Sequence, residues 1–551
     1  MLILKKPARP HALGEPIIHA DHPRPVTRRD MLAAGLISAP AMVMAPAWLG
    51  ALLKSGRAGA ATLDADLLPL KAAAQCNIQG AQGGLPFICF DLAGGANLVG
   101  SEVLVGVKGG QTNFLSTAGY GKLGLPGSMV PTSSAFVSSA LGLLWHSDGG
   151  ILRGILSKAT TPATAAGTNG TVICAMSQND TGNNPHNPMY GIAKSVNKNG
   201  LTPKGSLLTL IGNQSTVSGG NSQAPMQLVD PTLQPTKINQ PADAVGLVNT
   251  GGATADPVAV AVLESQARIS SGTTAYDPTA TGAAAGSEFT GVLSKPAGGT
   301  PGVQLLADPV ADAKLKNGVR CAYVKSANTA DAFGTPSALD PRQDVNITGG
   351  AAPIFTASDF SDGDVQKTAT VMKLVLQGYA AAGTITMGGY DYHDNTRASG
   401  ETRNFKAGQM IGAVLEYAQR VGSPVMIYVF SDGSISATSS VDSSTAGRGK
   451  LGWQGDNQAT ASTFFLVYNP LGRAQLRNGA ASQQIGFFST TGSVVSTSSP
   501  AANSVNQLVQ TVILNYMGLL GTDSQFSTTF PMQALGSASA QAGLVAFAPI
   551  V

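Results

Sequence analysis

The stretch that decides the fold is residues 384–430, TITMGGYDYHDNTRASGETRNFKAGQMIGAVLEYAQRVGSPVMIYVF. Residues 384–387 have the pattern of a short strand, and residues 404–420 have the apolar spacing of an amphipathic helix. Residues 425–430 form a continuous apolar run that is typical of a buried strand. A strand, a crossover helix and a second strand make a βαβ unit, whose two strands lie parallel in one sheet. The sequence therefore predicts the α/β class, with a mainly parallel sheet flanked by helices.

Other segments extend this pattern on both sides. Short apolar runs predict buried strands at residues 85–90, 171–176 and 462–468, and apolar periodicity predicts helices at residues 133–144, 368–382 and 505–519. Residues 200–350 differ, because they are rich in Gly, Ala, Thr, Ser and Pro and have short periodic pieces only near residues 258–269 and 310–314. No fixed period is visible there, so we expect an elaborated insertion or second lobe rather than a repeat array.

The amino terminus has the layout of a twin-arginine export signal. Residues 26–32, VTRRDML, put paired arginines ahead of a charge-free apolar run over residues 31–53, and residues 58–60 offer a small-residue cleavage site. The alternative is an uncleaved membrane anchor, although Gly35, Pro40 and Pro46 would make a poor spanning helix. We expect a signal segment at residues 1–60 and a folded domain at residues 61–551. The protein would then be a bacterial periplasmic or extracellular protein, carried by the twin-arginine translocase.

Charge is scarce in this chain. The whole sequence has a net charge of +3, but residues 1–60 contribute +5 through eight Lys or Arg against three Asp or Glu, so the remainder is near −2. This balance gives no basis for a nucleic-acid surface. Only 12% of residues are charged and 67 are Gly, a composition that suits a secreted protein or one that contacts copies of itself or cell-envelope partners. No apolar run after residue 53 is long enough to span a membrane.

The four cysteines do not form a disulfide scaffold or a metal-binding pair. Cys89 and Cys174 lie inside apolar runs, where a buried, unreactive thiol is expected. Cys76 and Cys321 have no such context, and the sequence leaves open how the cysteines are paired.

Polar residues follow the predicted strands at the edge where parallel sheets place their ligand sites. Asp391 and His393 are two residues apart, so in an extended segment they point to the same side, and Asp432 follows the next strand. Two carboxylates and an imidazole would suit Zn²⁺ or Mn²⁺. The alternative is that these Asp residues cap turns and helix starts and that His393 forms a local hydrogen bond.

The order of several short motifs resembles a known family. The motifs are LAGGANL at residues 92–98, an isolated His186 after SQNDTGNNP, GGYDYHDN at 388–395, VFSDGS at 429–434, GWQGDN at 452–457 and VNQLVQTVILNYMGLLG at 505–521. In this order they resemble the domain-of-unknown-function 1501 family, bacterial proteins that often bear twin-arginine signals and look like remote relatives of alkaline phosphatases and sulfatases. The resemblance spans most of residues 85–530 and implies an alkaline-phosphatase-like core around a metal site.

Residue by residue, the resemblance extends the candidate metal site. Asp391 and His393 match the family's Asp-x-His, Asp432 lies where the family has an acidic residue after the next strand, Asp456 matches a late Asp, and His186 matches an isolated His. Two positions depart from the pattern, because Asn97 stands where an acidic residue is common and Asn457 where a His is common. Neutral amides are weaker ligands, so the resemblance implies a weakened site for Ca²⁺, Mg²⁺, Mn²⁺ or Zn²⁺, or none.

Two functions follow from these residues. In the first, the protein has a binding or structural role in the cell envelope and a degenerate metal site. In the second, it is a metal-dependent hydrolase of phosphate or sulfate esters, with Ser101 as a candidate nucleophile. The chain lacks the GxSxG motif of a serine hydrolase. The absence of acidic and His ligands at two positions favours the first function, and the intact Asp391 and His393 favour the second.

Overall fold

The computed structural model describes residues 83–132, 135–177, 184–248 and 336–551. The predicted signal segment, the periodic pieces at residues 258–269 and 310–314, Cys76 and Cys321 lie outside these ranges. Among the described helices, none combines the length and the apolar character that a bilayer crossing requires.

In the described residues, twelve strands make one large sheet and two hairpins. The strands are β1 (Phe87–Gly94), β2 (Val137–Leu141), β3 (Leu143–His146), β4 (Thr168–Ile173), β5 (Leu208–Gly212), β6 (Thr236–Lys237), β7 (Ala380–Tyr390), β8 (Val425–Phe430), β9 (Ile435–Asp442), β10 (Lys450–Asp456), β11 (Thr463–Tyr468) and β12 (Gln484–Ile485).

Eleven α-helices accompany them in the described part of the chain. They are α1 (Thr117–Lys122), α2 (Gly150–Lys158), α3 (Pro162–Ala166), α4 (Met189–Lys194), α5 (Pro241–Gly246), α6 (Val345–Thr348), α7 (Gly363–Leu376), α8 (Ala398–Val421), α9 (Val505–Leu520), α10 (Phe526–Thr529) and α11 (Ala538–Ala542). Short 3₁₀ turns connect many of these elements.

The large sheet has eight strands in the order β12-β4-β11-β8-β1-β7-β5-β6. β1 pairs in parallel with both β7 and β8, and β11 is antiparallel to its two neighbours β8 and β4. With the parallel pairs β12–β4, β5–β7 and β5–β6, seven strands therefore point the same way and β11 alone is reversed. The predicted α/β class with a mainly parallel sheet is confirmed.

Helices cover both faces of the sheet. Alternate residues of β8 enter two separate cores: Ile427 and Val429 pack with α2, α7 and α8, while Met426 and Tyr428 pack with α4 and α9. Burial on both faces explains why the central strands are continuous apolar runs rather than alternating ones.

The crossover helix α8 is fixed at both ends. Asp442, at the end of β9, accepts hydrogen bonds from the backbone N–H groups of Arg397 and Ala398, which satisfies donors that a helix start leaves unpaired. Gly422 ends the helix in the left-handed conformation, with φ of 66°. The chain then enters β8 and completes the βαβ unit.

Three predicted segments differ from the structure. The predicted helix at residues 133–144 is wrong, because β2 and β3 form a hairpin there, and Gly142 turns it with φ of 80°. Leu141, Leu143 and Trp145 are buried in this hairpin, so packing outweighed the apparent helical spacing. The helix predicted at 368–382 stops at Leu376, since the chain turns at left-handed Gly378 and starts β7 at Ala380.

The third difference concerns residues 200–350. Their described part includes β5 and β6, which are hydrogen-bonded strands of the main sheet beside β7. These strands were not predicted because they are short, with five residues in Leu208–Gly212 and only two in β6. At least this part of the range belongs to the core rather than to an insertion.

Candidate metal site

The ends of β1, β7 and β8 lie side by side at one edge of the sheet. Asp91 of β1 is opposite Thr386 of β7 and Phe430 of β8, and Gly94 is opposite Tyr390. The residues that follow these strands therefore share the edge at which parallel sheets hold ligands.

Asp391, His393 and Asp456 form a surface cluster at this edge. His393 Nε2 lies 2.7 Å from Asp391 Oδ1 and 3.9 Å from Asp456 Oδ1. One ligand atom from each residue lies within 4.8 Å of the others. The side chains of Asp391, His393 and Asp456 are 53%, 39% and 58% exposed, so solvent or a further ligand can reach them.

Backbone pairing brings the two segments of the surface cluster together. Asn395 N–H donates to the Trp453 carbonyl, and Trp453 N–H donates to the Thr396 carbonyl, so the segment after β7 lies along β10. Tyr392, between Asp391 and His393, is buried. Its ring centroid lies 6.2 Å from that of Trp453, and its hydroxyl donates a hydrogen bond to Asn404 Oδ1. The buried Tyr392 anchors the loop, and the predicted common orientation of Asp391 and His393 is present in the structure.

The donor set fits a divalent cation of borderline softness. Two carboxylate oxygens and one imidazole nitrogen suit Zn²⁺ or Mn²⁺, and the exposure leaves room for water on the remaining positions. Ligand atoms around a tetrahedral Zn²⁺ are about 3.3 Å apart, from metal–ligand distances of about 2.0 Å. The 2.7 Å separation of His393 and Asp391 is that of a hydrogen-bonded pair, so a bound ion would widen it slightly. Both side chains are exposed and are free to make this adjustment.

Asp432 lies at the same edge but does not join the surface cluster. It is fully buried, its Oδ1 accepts the Gly94 N–H at 2.8 Å, and its Oδ2 accepts Asn221 Nδ2 at 3.3 Å. Hydrogen bonds from the protein therefore occupy both oxygens. The predicted role of Asp432 as a ligand beside Asp391 and His393 does not fit this placement.

Asp91 is a second buried carboxylate at this edge and is not among the predicted site residues. Asp91, Asp432 and the groups that donate hydrogen bonds to them are called the buried crevice below. Its Oδ2 accepts the N–H groups of Asn221 and Ser222 at 2.8 and 2.9 Å and the Thr386 hydroxyl at 3.1 Å. Its Oδ1 accepts the Ser222 hydroxyl at 3.3 Å. Burial raises the pKa of Asp91, and these hydrogen bonds act in the opposite direction.

Most donors to the two buried carboxylates come from one loop, which contains Asn221 and Ser222. Residues 213–223, here the capping loop, follow β5 and lie across the ends of β1 and β7. Asn213 fastens the loop, since its side chain donates to the Thr386 carbonyl and accepts the Thr386 N–H. No sequence pattern indicates this loop, because its residues NQSTVSGGNSQ fall in the Gly- and Ser-rich range.

Asn97 and His186, two further predicted ligands, are both buried within the protein. The amide of Asn97 donates to the Ile435 carbonyl and accepts the Val99 N–H, and the residue is fully buried, so it holds a turn rather than a cation. His186 is 2% exposed, stacks on Phe430 and lies 3.5 Å from the Ser177 hydroxyl through Nε2. Its Nδ1 has no hydrogen-bond partner among the described residues, and burial lowers the pKa of His186 to about 3.

Ser101 is enclosed by charged residues far from solvent. It is fully buried, and its hydroxyl oxygen accepts a hydrogen bond from Arg397 Nη2 at 2.7 Å. Arg397 also pairs with Glu401, which in turn binds Lys450 at 2.7 Å. This buried ionic network joins the start of α8 to β10. A nucleophile needs access to its substrate, so the proposed nucleophilic role of Ser101 does not fit.

The expectation that Cys89 and Cys174 are buried thiols is confirmed. Cys89 and Cys174 are free thiols with no exposed surface, and burial raises the pKa of Cys89 to about 12. Each is therefore an unreactive core residue.

Comparisons of this chain with protein-family models, with curated proteins and with solved structures found no match.

Proposed function

We propose that the protein binds one divalent cation at the surface cluster and has a binding or structural role outside the cytoplasm. The observation that carries this proposal is the convergence of Asp391, His393 and Asp456 ligand atoms within 4.8 Å at an exposed edge of the sheet. Three protein ligands leave coordination positions open, so the cation can contact water or an anionic group of a partner. Zn²⁺ and Mn²⁺ suit the mixed donor set best.

The contacts at the edge favour binding over hydrolysis. Hydrolases of phosphate and sulfate esters that use two cations need a second set of ligands a few ångströms from the first. The buried carboxylates at the same edge of the sheet, Asp91 and Asp432, already accept hydrogen bonds from the capping loop and from Gly94. Ser101, the candidate nucleophile, is buried against Arg397. Metal-dependent ester hydrolysis therefore stays the alternative.

The location of this role rests on the amino terminus. The VTRRDML motif and the apolar run after it support export by the twin-arginine translocase of a bacterium. The motif order supports a remote relationship to the domain-of-unknown-function 1501 family and an alkaline-phosphatase-like core. The low charge content supports contacts with other copies of the chain or with the cell envelope.

Metal titration of the full chain tests the proposal. We expect one equivalent of Zn²⁺ or Mn²⁺ to bind by isothermal titration calorimetry, and Asp391→Ala and His393→Ala each to weaken binding by roughly tenfold or more. Asp394→Asn is the matched control, because Asp394 lies in the same exposed loop but its oxygens accept hydrogen bonds from Thr396 and Ser399. We expect this variant to bind the ion within about twofold of the natural protein.

Two results would overturn the proposal. Absence of saturable binding for Zn²⁺, Mn²⁺, Ca²⁺ and Mg²⁺ would remove the cation site. Turnover of a phosphate or sulfate ester that is lost in both Asp391→Ala and His393→Ala would replace the binding role with hydrolysis.

A further inference from the structure

An apolar pocket of about 130 Å³ lies between α4, α9 and α10 and shares no lining residue with the surface cluster. Its walls include Leu228, Ile513, Phe526 and Phe530, which belong to the core on that face of the sheet. The segments that supply these residues do not include those of the surface cluster. The pocket therefore requires its own explanation.

The size and the walls of the pocket suit one aromatic ring. The rings of Phe526 and Phe530 are 5.2 Å apart and inclined by 42°, a spacing at which aromatic rings attract each other. Phe526 is fully buried, Phe530 is 8% exposed, and Ile513 is fully buried, so these walls are held firmly. An apolar cavity of about 150 Å³ is known to hold benzene. A pocket of similar volume that opens to solvent can hold a ring and leave a polar substituent outside.

Two exposed methionines lie in or next to the segments that line the pocket. Met532, which lines the pocket, is 72% exposed, and Met226, next to the lining residue Gln227, is 82% exposed. Large exposed apolar side chains beside an apolar pocket are typical of binding surfaces, and methionine adapts its shape to a bound group.

Lys194 gives the pocket a positive charge. Its Nζ donates to the Leu228 carbonyl at 2.8 Å, which leaves two of its three N–H donors for another acceptor. No carboxylate among the described residues lies within 4.0 Å of it, although Asp230 is close enough to sense its charge. The Asp230 carboxylate accepts hydrogen bonds from the N–H and hydroxyl of Thr232. An ammonium group with donors to spare, beside an apolar pocket, attracts a carboxylate.

From this geometry we infer that the pocket binds a small aromatic carboxylate, with the ring against Phe530, behind which the buried Phe526 packs, and the carboxylate at Lys194. The inference does not depend on the cation site, since the two share no residue.

Binding of phenylacetate to the full chain tests the inference, with 2-phenylethanol as its neutral counterpart. By isothermal titration calorimetry or ligand-observed NMR, we expect saturable binding of phenylacetate at one site. Lys194→Met keeps the aliphatic stem and removes the charge, so it should weaken phenylacetate binding by roughly tenfold and leave 2-phenylethanol within about twofold.

Lys204→Met is the matched control. Lys204 is exposed and lines a separate depression of about 110 Å³ near Leu85 and Ala380 that contains no aromatic ring. This variant should bind phenylacetate as the natural protein does. The inference fails if phenylacetate shows no saturable binding up to about 10 mM, a weaker affinity than a buried ring and one charged contact provide. It also fails if Lys194→Met and Lys204→Met weaken phenylacetate binding equally.

Discussion

The surface cluster and the buried crevice lie at the same edge of one sheet, and both contain aspartates, yet their carboxylates have different partners. In the surface cluster, Asp391 and Asp456 are more than half exposed and face a histidine. In the crevice, Asp91 and Asp432 are fully buried, and their oxygens accept hydrogen bonds from backbone and side-chain donors. The same residue type therefore faces a histidine and solvent in one place and holds a loop in the other.

An aspartate at the end of a strand is therefore not a metal ligand by its position alone. The capping loop supplies N–H groups where a cation would supply positive charge, so the crevice is satisfied without an ion. No loop of this kind covers Asp391 and His393 in the described part of the chain. We expect substitutions in the crevice to change stability and substitutions in the surface cluster to change ion binding.

Asp91→Ala should have the largest effect on stability. It would leave the Ser222 N–H and the Thr386 hydroxyl without their acceptor in a buried site, and the Asn221 N–H would keep only its 3.1 Å contact with Thr386 Oγ1. Each unsatisfied buried donor costs about 1–3 kcal/mol, and partial relaxation of the loop brings the expected loss to about 3 kcal/mol. Urea unfolding followed by circular dichroism would measure it.

Asp91→Asn is the matched control for the charge. Its amide oxygen can accept the three hydrogen bonds made to Oδ2, and its amide nitrogen can donate to the Ser222 hydroxyl. Because burial raises the pKa of Asp91, the charged form is costly, and the neutral amide avoids that cost. We expect this variant to stay within about 1 kcal/mol of the natural protein. Equal losses for Ala and Asn would contradict the assigned role of the capping loop.

Local sequence patterns predict part of the fold and part of the candidate site. The βαβ unit was recognisable because Val425–Phe430 is a buried apolar run and the helix before it has a regular apolar face. The pairing of Asp391 with His393 was recognisable because their spacing of two residues is local. The buried crevice could not be recognised in this way. Residues 91, 221 and 432 are far apart in sequence and are brought together by the order of the strands and by a loop that has no periodic pattern. Burial, which separates Asp432 from Asp391, is a tertiary property that no local pattern carries.

His186→Phe should have an intermediate effect and the opposite sign. Phe keeps the stacking on Phe430 and removes a buried Nδ1 that no described residue pairs with, so we expect a gain of about 1 kcal/mol at pH 7. Burial lowers the pKa of His186 from 6.5 to about 3, so the unfolded chain binds more protons between these values. Stability therefore falls as the pH drops through this window, and His186→Phe should make that fall shallower. Unfolding curves at several pH values between 7 and 4 would measure both effects.

His146→Phe is the contrasting variant. His146 also stacks on an aromatic ring, that of Phe136, but Nε2 contacts the Met129 carbonyl and Nδ1 accepts the Asp148 N–H. Its replacement removes both hydrogen bonds, so we expect a loss of about 1–2 kcal/mol at pH 7. A gain in both variants would show that stacking, rather than the unpaired Nδ1, decides the result.

Asp391→Ala should have the smallest effect on the metal-free protein. Asp391 is 53% exposed, and its contact with His393 is a surface pair, so we expect the free energy of unfolding to change by less than about 0.5 kcal/mol. The variant differs from the natural protein once an ion is present. An ion that binds only the folded state raises the melting temperature, and a given concentration of Zn²⁺ or Mn²⁺ should raise it clearly more for the natural protein than for the variant. Thermal unfolding with and without chelator would measure this. A large loss of stability in the chelated variant would mean that the surface cluster, like the crevice, holds the fold together.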